Sequence, residues 1–232
     1  MERITFTHED RSYAVREELK TLRTNIQFCG DDKRVLLVTS CLAGEGKSTT
    51  TQELAESLSE IDKRVLYIDA DLRKDKEEKD GLSGQYTYGL THYLSGQCTS
   101  RDMVYSTNIR GLYAIPSGLV PPNPSELLAN LRMHSLLSEM KEVFDYIIID
   151  TAPLGMVVDA AVLAPLCDGA ILLVESGSVS YRLAQDVVKQ LENTQCPTLG
   201  VILNKVARTK GSYYGYGKYG RYGAYGSYGT SN

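Results

Sequence analysis

The chain has 232 residues, 42% of them hydrophobic and 23% charged, which suits one core of ordinary domain size. No run approaches the ~20 apolar residues of a membrane helix, and the opening MERITFTHEDRSY is no signal peptide. The net charge is −4, yet the last stretch carries Lys210, Lys218 and Arg221 without an acid, so the rest stands at about −7 and nucleic acid is not the expected ligand.

In chain order, YAVREELKTLRTNIQF predicts a helix over 13–28, followed by a strand RVLLVTS over 34–40. A helix over 47–61 (KSTTTQELAESLSEI) and a strand RVLYID over 64–69 come next. The charged, glycine-bearing RKDKEEKDGLSG at 73–84 reads as a mobile loop. A long helix is predicted over 125–144, then strands at 146–150 and 169–176, a helix at 181–193 and a last strand at 199–204. The strand runs are β-branched and continuous rather than alternating, as in a parallel sheet buried on both faces. Strand–helix alternation of this kind predicts an α/β fold, a doubly wound, mainly parallel sheet with helices on both faces. Residues 1–207 form that domain. Residues 208–232 are a flexible tail that repeats Tyr-Gly-X, rich in glycine and without aliphatic partners, and disorder is expected there. Cys29, Cys41, Cys98, Cys167 and Cys196 are scattered without CxxC spacing, which predicts reduced thiols and no structural metal.

The first strand runs into SCLAGEGKSTTT, where Gly44-Glu45-Gly46-Lys47-Ser48 completes the second half of a phosphate-binding loop of the P-loop NTPases. Glycines let backbone N–H groups wrap an anion, the helix N-terminus adds its dipole, Lys47 reaches outer phosphates and Ser48 ligates Mg²⁺. Cys41 stands where the pattern has its first glycine, which is harmless if the backbone keeps a negative φ. Two further apolar strands end in acids, VLYIDADLRK with Asp69 and Asp71, and YIIIDTAP with Asp150. Carboxylates at the carboxyl edge of a parallel sheet lie where such folds bind ligands. Beside a metal, one of them can also take the proton of an attacking hydroxyl.

GEGKST, VLYIDADLR, YIIIDTAP and PPNPSELL (121–128) together resemble the bacterial tyrosine kinases of capsular and extracellular polysaccharide systems. The resemblance covers essentially the whole chain. It implies ATP and Mg²⁺, with Gly44, Glu45, Gly46, Lys47, Ser48 and Thr49 at the phosphates and Asn204 at the adenine. It implies Ser48, Asp71 and Asp150 on the metal, and Asp69 as the group activating a tyrosine hydroxyl, with exchange between Asp69 and Asp71 left open. Arg73 would help neutralise the transferring charge. The family's Glu-x-x-Arg-x-x-Arg motif, used to pack subunits into a ring, falls on Glu17, Lys20 and Arg23, with lysine replacing the first arginine and losing its bidentate fork. Ala43 stands where the family usually has proline before Gly44.

The resemblance also gives the tail a purpose, as the substrate of the kinase itself. Tyr213, Tyr214, Tyr216, Tyr219, Tyr222, Tyr225 and Tyr228 are the candidate acceptors, reached by a neighbouring subunit. In one branch of the family the kinase is fused to a membrane-spanning activator, and in the other the two are separate chains. This chain is expected to be the second kind, cytoplasmic and recruited to the membrane by a transmembrane adaptor. The rival reading is an ATPase switch of the partition or septum-placing kind. Those proteins carry an early lysine in K-G-G-x-G-K-[ST], where this chain has Leu42. A purely scaffolding, non-catalytic role is disfavoured by the intact Lys47, Ser48, Asp69, Asp71 and Asp150.

Overall fold

The computed structural model describes residues 3–7, 11–74 and 82–207. The continuous apolar runs become the centre of a nine-stranded sheet. In chain order the elements are β1 (Arg3–Phe6), α1 (Tyr13–Phe28), β2 (Val35–Ser40), α2 (Lys47–Ser59), β3 (Val65–Asp69) and β4 (Leu82–Ser83). They continue as α3 (Leu90–Leu94), α4 (Ser100–Met103), β5 (Tyr105–Thr107), β6 (Leu112–Ile115), α5 (Pro124–Leu128) and α6 (Leu131–Lys141). The last are β7 (Tyr146–Asp150), α7 (Asp159–Leu163), β8 (Gly169–Glu175), α8 (Tyr181–Glu192) and β9 (Thr198–Asn204). The sheet order is β4-β1-β5-β6-β3-β7-β2-β8-β9, parallel except where β1 meets β4 and β5 meets β6.

Every residue of β2, β3 and β7 is buried, because successive side chains feed two different cores. Val35, Leu37, Leu66, Ile68, Ile147 and Ile149 pack on the face covered by α6, α7 and α8. Leu36, Val38, Val65, Tyr67 and Ile148 pack on the other, beneath Leu54, Ala55 and Leu58 of α2 and Ile26 of α1. The predicted α/β, doubly wound architecture with helices on both faces is the architecture observed.

Three differences from the sequence reading have local causes. The helix expected over 125–144 is two helices, α5 and α6. The chain turns extended at Asn130 (ψ 143°), whose side chain accepts from Arg132 N at 3.0 Å and starts a new helix. The expected loop at 73–84 ends in β4, which pairs antiparallel with β1, while residues 75–81 lie outside the described residues. The strands β1, β5 and β6 were not expected at all. They are three or four residues long, too short for a period to register. All five cysteines are free thiols, as their scatter predicts.

Candidate active site

The crossing of β2 into α2 builds the phosphate loop. Gly44 and Gly46 hold φ of +79° and +85°, a backbone state that side-chain-bearing residues rarely adopt. Cys41 is fully buried and needs no such freedom. Positive φ among described non-glycine residues is confined to Asp62, Gln195 and Lys205. Its backbone instead presses on Gly155, where an added Cβ would sit 2.2 Å from the Cys41 carbonyl oxygen. No side chain caps the first turn of α2, so its N–H groups point toward the cavity in front of them.

Two residues expected at the nucleotide also tie the loop from behind. The Glu45 side chain is buried and accepts from Leu42 N (2.7 Å) and Glu175 N (2.9 Å), tying the loop to the end of β8. Asn204 donates to the Glu45 carbonyl at 2.8 Å, and Lys205 to that of Gly44 at 2.7 Å. Asn204 is therefore packed behind Gly46 and forms no part of the wall of the phosphate cavity. That cavity, about 300 Å³, is lined by Gly44, Gly46, Lys47, Ser48, Thr49, Asp71 and Arg73 among others.

The sheet brings the acids together. Asp69 and Asp150 are register partners on neighbouring strands, both almost wholly buried. Lys47 Nζ lies 2.5 Å from Asp150 Oδ1, and the Tyr67 hydroxyl donates to Asp150 Oδ2 at 3.0 Å. Asp69 Oδ1 accepts from Asp71 N at 3.2 Å, which folds the DAD turn on itself. Asp71 faces the phosphate cavity, while Asp69 lines a small recess with Ser48, Gln52, Tyr67 and Asp150. Burial, reinforced by Asp150 and Asp69, pushes the Tyr67 phenol well above its ordinary value, so it remains a donor at neutral pH.

Two cations sit at this mouth, the expected Arg73 and Lys74, which pattern reading missed. Lys74 donates to Ser48 Oγ at 2.9 Å and lies 3.9 Å from Asp71 Oδ2. Arg73 grips the fully buried Asp159 with Nε (2.7 Å) and a second nitrogen (2.9 Å), while Ser125 donates to the same carboxylate at 2.6 Å. Burial alone would raise the Asp159 carboxyl, but the Arg73 and Ser125 hydrogen bonds outweigh it and hold the group low. Arg73 is thus both a wall of the cavity and a clamp on α5 and α7.

The donor set fits Mg²⁺. Among the described residues no three acidic, histidine or cysteine side chains converge as a ready metal cage. Mg²⁺ needs none, since it keeps several waters and uses one or two carboxylates beside the phosphates. The ammonium of Lys74 between Ser48 and Asp71 shows that this spot already accepts a positive charge.

The remaining expected residues lie apart from the cavity. On α1, Lys20 pairs with Glu17 at 2.8 Å, and Arg23 reaches α2 at the Ser57 carbonyl (2.5 Å) and Glu60 (3.1 Å). The seven tail tyrosines lie outside the described residues.

The sequence pattern of the family described as AAA domain matches residues 33–199. A tyrosine-protein kinase CpsD of Streptococcus agalactiae is 42% identical over 205 residues, spanning 87% of this chain and 90% of the relative. The chain belongs to the bacterial tyrosine kinases. They act in capsular and extracellular polysaccharide synthesis. The kinase domain of the Escherichia coli tyrosine kinase ETK superposes with a TM-score of 0.76 at 32% identity, covering 87% of this kinase and 80% of that chain. The septum site-determining protein MinD of Pyrococcus horikoshii, complexed with Mg-ADP, reaches only 0.63 at 24%, over 76% of this kinase and 72% of that chain, a likeness of fold. A septum-type ATPase switch is therefore the weaker reading, as Leu42 in place of the signature lysine already implied. The kinase binds nucleotide.

Proposed function

We propose that this kinase transfers the γ-phosphoryl group of ATP to the tyrosines of its own tail, copy to copy. In the reaction a tyrosine oxygen bonds to the γ-phosphorus, the bond from that phosphorus to the β–γ bridging oxygen breaks, and ADP leaves. Lys47 exchanges Asp150 for the β- and γ-phosphate oxygens, and the uncapped N–H groups of the loop and α2 hold the same oxygens. Ser48, a carboxylate of the DAD turn and Asp150 would hold Mg²⁺, which would supply charge neutralisation for the transferring group. The tyrosine proton passes to a carboxylate of the same turn. Asp71 lines the cavity with Ser48 and Lys74, which supports Asp71 on the metal side and leaves Asp69, in the recess beside Asp150, as the base. Arg73, held by Asp159 at the cavity wall, adds positive potential there.

The observation that carries this reading is the gathering of Lys47, Ser48 and Asp71 at one cavity, with Asp150 paired to Lys47 in the recess beside it, in a chain that carries seven tyrosines between 213 and 228. Tail tyrosines in glycine-rich surroundings meet little steric resistance at a neighbour's cavity. A ring-like assembly using the Glu17, Lys20 and Arg23 face of α1 would present them, and a transmembrane adaptor would hold that ring at the inner face of the membrane. No described helix is long and apolar enough to cross a membrane.

The test mixes active enzyme lacking residues 211–232 with full-length Lys47→Met protein, Mg²⁺ and ATP. Mass spectrometry of the inactive copy decides it. Phosphate on that copy's tail establishes transfer between subunits. ATP hydrolysis with no tyrosine gaining mass, even with an adaptor segment added, returns the ATPase-switch reading.

A further inference from the structure

We infer that Tyr67 is a positioning residue for the reaction, one that keeps Asp150 aimed at the metal side of the site after Lys47 has left it. The inference rests on the reading of Asp150 as a metal-side carboxylate. Asp150 is almost wholly buried, and two donors are seen on it, one on each oxygen, Lys47 at Oδ1 and the Tyr67 hydroxyl at Oδ2. The first is a mobile partner by chemistry, because a phosphate-loop lysine must serve the incoming phosphates. When it goes, the phenol remains.

The geometry makes this role specific to an aromatic with a hydroxyl. Tyr67 is in register with Ile148, and Asp69 with Asp150, so Tyr67 starts two residues below the carboxylate it reaches. That climb is about 6–7 Å along the strands, the reach of a phenol ring and beyond that of any aliphatic side chain. The neighbours at this level are apolar, and Val65, Leu36 and Ile148 share the same layer. A leucine or valine at 67 would fill that layer and leave Oδ2 without its donor. The ring is fixed in turn by Phe6, edge-on at 5.7 Å and 82°. Gln52 of α2 hydrogen-bonds the same hydroxyl. A carboxylate restrained in this way loses less freedom when it takes up a metal's water shell, as partners of metal-site carboxylates do elsewhere.

The test replaces Tyr67 by Phe, which keeps the ring and its packing. Mg²⁺ is titrated calorimetrically into ADP-loaded full-length protein, and ADP affinity is measured separately in chelator as a check on the fold and the phosphate loop. We expect metal affinity about tenfold weaker in Tyr67→Phe with metal-free ADP affinity unchanged. In an Asp150→Asn background the same substitution should have no effect on metal affinity. Wild-type metal affinity in Tyr67→Phe overturns the inference, as does an effect that persists undiminished without the Asp150 carboxylate. If Asp150→Asn alone leaves metal affinity unchanged, the assignment of Asp150 is what has failed, and the inference falls with it. None of these readings depends on tyrosine phosphorylation.

Discussion

Lys74 shows how a single side chain can tune this site. Its ammonium hydrogen-bonds Ser48 Oγ and lies near Asp71, so a metal ion reaching the same oxygens must first displace it. It is partly exposed, and the pair is worth little by itself. Lys74→Gln is therefore expected to lower the Mg²⁺ concentration for half-saturation of the ADP complex by a factor of about two to five. Calorimetric titration checks this, and an unchanged midpoint would show that the lysine swings clear at no cost. The thiols make a second residue-scale case. Burial, with Glu45 beside it, pushes Cys41 up to about 11, and burial with Asp168 does the same for Cys196. Exposed Cys29 should thus react first with a thiol reagent at pH 8, leaving Cys41 and Cys196 slow. The sign of the linkage follows. Folded thiols that keep their protons to about 11, against 9.0 ordinarily, support the fold below pH 9 and lose that support as pH climbs toward 11. Denaturant midpoints measured from pH 8 to 10.5 should fall, and Cys196→Ala should flatten the fall.

Between elements, the clamp of Arg73, Ser125 and Asp159 does what no backbone ladder does here. It joins the turn after β3 to α5 and α7, three pieces that share no strand pairing. Each helix is only five residues long, too short to hold itself, so side-chain ties decide where it sits. Replacing Asp159 by Ala strands the Arg73 guanidinium and the Ser125 hydroxyl, and should cost about 1–3 kcal/mol. Because the Asp159 carboxyl is held low, its contribution is present above the ordinary carboxylate range and is lost as pH falls through it. Chemical denaturation at pH 7 and pH 3.5 should show a smaller gap between wild type and Asp159→Ala at the acid end. An equal gap at both would remove the carboxylate from the explanation.

For the whole molecule, the charges of tail and core set the expected response to phosphorylation. The tail begins weakly basic beside a core of about −7, and each phosphotyrosine adds about 1.5–2 negative charges. Several modified tyrosines would turn attraction into repulsion, so a fully phosphorylated sample should assemble less than an untreated one. Light scattering of the full-length protein before and after incubation with Mg²⁺ and ATP measures this. An assembly mass that does not change would separate tail phosphorylation from any control of assembly.

The phosphate loop was legible because its chemistry is local. Two glycines with positive φ, a lysine and a serine fall within five residues, and the strand before them announces itself by being apolar on both faces. The central strands and their acidic ends were legible for the same reason. Neighbours in space were not. Lys47 and Asp150 are 103 residues apart and meet because β7 lies beside β2, an adjacency that hydrophobic pattern does not encode. The bond from Asn204 to the Glu45 carbonyl likewise spans most of the chain, and the pairing of β9 with β8 is what brings the two together. Tyr67 looked like one more apolar strand residue until the register of β3 on β7 put its hydroxyl under Asp150. Residue type and spacing thus determined which chemical groups the protein owns and the class of sheet that carries them, since backbone conformation and burial pattern are short-range properties. Only the tertiary structure decided which of those groups touch, because strand order and register are settled by packing across the whole chain.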